Sequence, residues 1–197
     1  MKKFLIFIVT IICIVGITFA IVTPISPEDS LNYQFKLLQS EYLDDICEKM
    51  GVNINEEVKK VFADSNIVLT DEEAERVVTT LLAFDYEIES SVVYDTYADV
   101  SVTVVTVDTF GLVKEKIKAN IGDIILGVLT GNQVSNEAIL KEVLVELDSA
   151  PKSYMNTVNV RVNDVKGIFY LLDFENNNDL YNALSGGLLY ELEMLEQ

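Results

Sequence analysis

The chain of 197 residues sets 32 acidic against 14 basic residues, a formal net charge of −18, and contains neither histidine nor tryptophan. Such an excess of carboxylates repels phosphates, which argues against nucleic acid and anionic lipid surfaces as partners. Without histidine the commonest general base and the usual zinc ligand are missing, and without tryptophan sugar stacking is disfavoured.

After Lys2 and Lys3 the chain runs from Phe4 to Val22 without a charged residue. A stretch of that length is just enough to cross a bilayer as a helix, and the two lysines are expected to stay on the cytoplasmic side. Residues 1–25 therefore read as a retained signal anchor or as a signal peptide, since a cut after Ala20 is also acceptable. Either way the remainder is expected outside the cytoplasm, membrane-anchored or secreted. Cys13 sits inside the apolar run behind Thr10, Ile11 and Ile12, and reads as a membrane-buried small hydrophobe rather than a lipid attachment point.

Residues 26–197 have the length of one ordinary domain, with no internal repeat and no linker rich in glycine, serine or proline. Cys47 is the single cysteine beyond the leader, so that domain has no internal disulfide and Cys47 reads as packed in a helix. Ser26, Pro27, Glu28 and Asp29 form a helix start, and Leu31, Phe35, Leu38, Tyr42 and Ile46 recur at helical spacing up to a stop near Gly51. A short helix is expected over 56–63. Thr70 to Glu73 is a capping box that opens a further helix, with Val77, Val78, Leu81 and Leu82 facing inward.

From Tyr86 the period changes to two. Tyr86, Ile88, Ser90, Val92 and Tyr94 alternate with polar residues, and Val100, Val102 and Val104 do the same after a turn expected near Tyr97 to Asp99. Two helices follow. The first carries Phe110, Val113, Ile117, Ile121, Ile124 and Val128 on one stripe. The second is capped by Ser135, with Val134 and Ile139 as a hydrophobic staple and Val143, Leu144 and Leu147 inward. Strands return after Pro151. Val158, Val160 and Val162 alternate with Asn159, Arg161 and Asn163, a turn falls at 164–167, and the run from Ile168 to Phe174 is apolar on both faces apart from Asp173, as expected of a strand that is central and doubly covered or that lines a cavity. A last helix over 179–196 is interrupted at Gly186 and Gly187. The order predicts an α+β fold, an antiparallel sheet packed by helices.

Four stretches carry a family resemblance: Ser101 to Asp108, Ser135 to Leu147, the hairpin Thr157 to Phe174, and Asn177 to Leu189. In these the chain resembles uncharacterised bacterial surface lipoproteins of the cystatin-like, nuclear-transport-factor-like superfamily, with Phe169 near the position where members carry a tryptophan. The resemblance implies a curved antiparallel sheet wrapped as a cone around its helices, and it brings no established activity. Some relatives use an aspartate with tyrosines in a pocket for proton transfer. Tyr86, Tyr94, Phe169 and Tyr170, with Asp173, are the residues that such a pocket would use here.

No glycine-rich phosphate loop or nucleophile elbow occurs, and no cofactor is expected. Asp173, Glu175, Asn177 and Asp179 place oxygen ligands at alternate positions as in a calcium loop. Asn178 stands where that loop needs glycine and Leu184 where it needs glutamate, so a capping turn is the competing reading. The expectation for function is a non-catalytic acidic domain binding a protein or small ligand at the cell surface, with a small pocket enzyme or ligand carrier as the alternative.

Overall fold

The computed structural model describes residues 26–49, 51–63, 67–121, 136–173, 175–188 and 190. The expected membrane segment, Ile124, Val128, Val134 and Ser135 lie outside the described residues. Among those described, no helix is long and apolar enough to cross a membrane.

The chain is α+β. Among the described residues, four helices, α1 (Pro27–Leu38), α2 (Tyr42–Lys49), α3 (Ile54–Ala63) and α4 (Asp71–Leu82), precede the hairpin β1 (Asp85–Val93) and β2 (Tyr97–Val107). Helices α5 (Thr109–Ala119) and α6 (Asn136–Leu147) lead to β3 (Lys152–Val165) and β4 (Phe169–Leu172), and α7 (Asn178–Leu184) follows. The strands form one antiparallel open sheet in the order β1-β2-β3-β4. On its inner face Ala98, Val100, Val102, Val104, Val160 and Val162 are fully buried against Leu31 and Phe35 of α1 and Leu180 and Tyr181 of α7. Burying such a side chain contributes about 1.5 to 3 kcal/mol, so this two-layer contact is the main source of stability.

Local chemistry sets the helix starts. Ser26 accepts the Asp29 N–H at 3.0 Å, and Thr70 and Glu73 close the capping box with bonds of 3.2 and 2.8 Å. A single helix running on to Gly51 is not formed. The chain breaks at Gln39–Glu41, where the Ser40 hydroxyl donates to the Leu37 carbonyl at 2.8 Å and the Gln39 amide donates to the Leu82 and Phe84 carbonyls. Serine competes well for nearby main-chain carbonyls, and the apolar stripe continues across the break, which is why periodicity alone joins α1 to α2.

The hairpin turns earlier than expected, at Tyr94–Thr96, with the Tyr94 N–H donated to the Tyr97 carbonyl at 2.8 Å. A bulge at Glu89 shifts the register between Ile88 and Ser90. Tyr86 and Ile88 therefore pack on the core, whereas Val92 and Val93 beyond the bulge are exposed.

The reading of β4 as a central strand is corrected. It is a four-residue edge strand, and its apolar run is explained by α1 lying against it. The Tyr170 N–H is donated to Ser30 Oγ at 3.2 Å, Leu172 N–H to Gln34 Oε1 at 3.1 Å, and Gln34 Nε2 donates to the Tyr170 carbonyl at 3.1 Å. Register opposite Val162 places Leu172 inward, and Tyr170 packs on the same core, while Phe169 is half-buried.

Candidate functional site

In the β2–β3 register Tyr97 faces Asn163, Asp99 faces Arg161, Ser101 faces Asn159 and Thr103 faces Thr157. Because strand side chains alternate, the same period that sends the valines inward gathers these polar groups on the outer face. Thr103 and Thr157 hydroxyls bond at 2.6 Å, and Glu89, on the bulge, accepts from both Ser101 and Thr103.

Arg161 is the centre of this face. Its Nε and Nη2 donate to the two Asp99 carboxylate oxygens at 2.9 and 3.2 Å, and its guanidinium carbon lies 4.2 Å from the centroid of the Tyr97 ring. Tyr94 stacks on Tyr97 with centroids 4.5 Å apart and an interplanar angle of 23°. Two planar groups cannot share one ring face at those distances, so Tyr97 is sandwiched and Tyr94, Tyr97 and Arg161 form a continuous stack.

The main chain of Arg161 is held as firmly. Its N–H is donated to Asn177 Oδ1 at 2.7 Å, and its carbonyl accepts from Asn177 Nδ2 at 2.8 Å and from the Asp173 N–H at 2.9 Å. Asn177, 1% exposed, thus stands in for a strand where β4 leaves β3. The hydrogen bond to Asp99 pushes the Arg161 pKa up, with the Asp99, Tyr97 and Asp173 charges adding to it. Such a group is a fixed cation and not a proton acceptor. Nη1, without a partner among the described residues, can donate to a carbonyl or carboxylate, and the outer face of Tyr94 can take a planar or cationic group.

The four residues assigned to a pocket are not gathered in one place. Tyr86 packs edge-on against Phe35 at 4.9 Å and donates its hydroxyl to Asn32 Oδ1 at 2.8 Å, and burial pushes its pKa up. Tyr170 lies on the opposite edge strand with its main chain bonded to Ser30 and Gln34 of α1, Phe169 opens β4, and Tyr94 belongs to the outer stack.

In the loop after β4, Asp173 Oδ1 accepts the Glu175 and Asn176 N–H groups at 3.0 and 3.3 Å, and Oδ2 accepts Asn176 Nδ2 at 2.8 Å. Burial pushes the Asp173 carboxyl up, yet the bonds from Asn176, Glu175 and Asn163 together outweigh it and hold the pKa below the usual value. Asp179 accepts the Tyr190 hydroxyl. Residues 173, 177 and 179 each have a side-chain oxygen bonded to a protein donor, and no group of three or more metal-ligating acids and cysteines occurs among the described residues.

Sequence reasoning passed over Arg161, Asp99 and Tyr97. The available signal was Arg161 at an outward strand position as one of two arginines in an acidic chain, whereas Tyr97 was hidden by placing it in the turn.

The class defined by these observations is an α+β domain with a four-stranded antiparallel open sheet and a polar outer face. No protein-family model matches the chain, and no curated protein matches it. A solved structure similar to it is the "putative lipoprotein (ycdA)" of Bacillus subtilis, with 17% identity and a TM-score of 0.40, over 82% of this chain and 48% of that one. The chain thus spans about half the length of that protein.

Proposed function

We propose that this is a non-catalytic, extracytoplasmic domain, secreted or held to the membrane by residues 1–25, that binds a protein or small ligand through the outer face of its sheet. The observation that carries this reading is the Tyr94–Tyr97–Arg161 stack. It is a cation with its side chain fixed by Asp99, its main chain fixed by Asn177 and one nitrogen unspent. A pre-ordered group loses little entropy when a partner arrives. In a chain of net charge −18 it also supplies a local donor for a carbonyl or carboxylate amid carboxylates that attract cations.

The element order, with α1 and α7 against the inner face of an antiparallel sheet, supports reading the domain as a cystatin-like, nuclear-transport-factor-like cone of the bacterial surface lipoprotein type. The rival, a pocket enzyme or carrier, fits less well. Its Tyr86 hydroxyl is bonded to Asn32, its Tyr170 lies on the other edge strand, and Asp173 is committed to its own loop.

The test places a photo-reactive residue at Val92, 56% exposed beside the stack, in full-length protein on the cells that make it. A discrete adduct removed by Arg161→Ala supports the reading. Adducts indifferent to Arg161→Ala contradict it.

A further inference from the structure

The two edges of the sheet are finished differently. On β4, Ser30 and Gln34 satisfy the main chain in place of a fifth strand. On β1 no described residue does so. The Tyr94 N–H is donated to the Tyr97 carbonyl, and antiparallel ladders alternate bonded and non-bonded pairs, so Val92 and Asp99 exchange ladder bonds. Ser91 and Val93 therefore turn their N–H and C=O groups to the open side.

The side chains along this edge have a definite character. Val93 is 57% exposed and stands between Val92 and the exposed Tyr94. Upstream, β1 carries Asp85, Glu87 and Glu89 and no basic residue. A second copy of this chain is a poor occupant, because antiparallel pairing of two β1 strands centred on Ile88 sets Glu87 of each copy against Glu89 of the other.

We infer that the open edge of β1 takes an extended, lysine- or arginine-bearing segment of a partner protein as an added strand. Ser91 and Val93 supply the ladder bonds, Val92 and Val93 the apolar contact, and Glu87 the charge complement, with Glu89 adding its charge from its place over Ser101 and Thr103. This rests on the partner-binding role proposed above and goes beyond it, adding the β1 edge beside the outer face as a second surface of contact.

The probe is a synthetic peptide of about ten alternating lysines and valines, titrated into full-length protein in neutral detergent. It binds, slows hydrogen exchange at the Ser91 and Val93 amides, and is matched by neither a glutamate–valine peptide nor a copy N-methylated along its bonding edge. Val93→Pro weakens binding by about tenfold or more with the melting temperature kept, since proline is tolerated where an edge N–H faces solvent. No binding, or equal binding by the N-methylated peptide, overturns the inference. Loss of binding on Arg161→Ala with retention on Val93→Pro puts the partner on the outer stack, which refutes the edge assignment and leaves the binding role standing. A dimer of the protein alone that Val93→Pro dissolves refutes it in favour of a second copy.

Discussion

Gln34 holds the main chain at Leu172 as a neighbouring strand would. The Leu172 N–H is donated to its side-chain oxygen at 3.1 Å, and its nitrogen donates to the Tyr170 carbonyl at the same distance. The side chain is buried, 4% exposed, so these bonds are made away from bulk water. Gln34→Leu strands an N–H and a C=O, each costing about 1 to 3 kcal/mol, and is expected to lower stability in a denaturant titration by about 2 to 4 kcal/mol. Gln34→Glu accepts but cannot donate when ionised, so its deficit at neutral pH shrinks as the carboxyl becomes protonated. A Gln34→Leu protein as stable as the parent shows that the edge is not held this way.

Two glycines separate backbone conformation from close packing. Gly186 has φ of +62°, and a Cβ there lies 2.0 Å from the Val107 carbonyl oxygen. Gly51 has φ of +71° with nothing within 4 Å. Gly51→Ala is expected to cost about 1 kcal/mol from the left-handed conformation alone. Gly186→Ala adds a collision with main chain that cannot rotate away, and is expected to cost about 3 kcal/mol or more. Equal losses in thermal melts show that α7 does not dock on the end of β2 as described.

Asp173 makes the pH prediction. Its folded pKa lies below the ordinary 3.8, so its contribution is complete above that value and is lost as pH falls through the folded one. The stability difference between the parent and Asp173→Asn, measured from pH 6 downward, should be constant until about pH 4 and then shrink. The same loop tests the calcium reading. With a side-chain oxygen of each of residues 173, 177 and 179 bonded to a protein donor, calcium and magnesium at matched ionic strength are expected to raise the melting temperature equally. A calcium-specific rise abolished by Asp179→Ala refutes that expectation.

On β4 the two faces are unequal. Leu172, 2% exposed, is expected to cost about 2 to 5 kcal/mol when cut to alanine, and half-buried Phe169 clearly less. The reverse order in chemical denaturation contradicts the register of β3 with β4.

Much of this architecture is legible in the chain because it rests on local rules. The capping box at Thr70 and Glu73, the glycine after α2, and the alternating valines of β2 and β3 announce themselves at spacings of two to four residues. What escapes is long-range. The apolar run of β4 reads as a central strand because nothing local shows that Gln34, 138 residues away from Leu172, replaces the missing neighbour. The bulge at Glu89 breaks an alternation that looks unbroken in sequence, and so moves Val92 from the core to the surface. Arg161 becomes conspicuous only when the β2–β3 register sets it opposite Asp99 and over Tyr97.

The proposed function requires residues 26–197 to be presented to a partner on the far side of the membrane from Lys2 and Lys3. Protease added to intact cells that make the full-length protein measures this most directly, with a cytoplasmic marker as the control for lysis. The domain is expected to disappear while the marker survives. Survival of the domain until the cells are broken open, followed by its digestion, contradicts the claim.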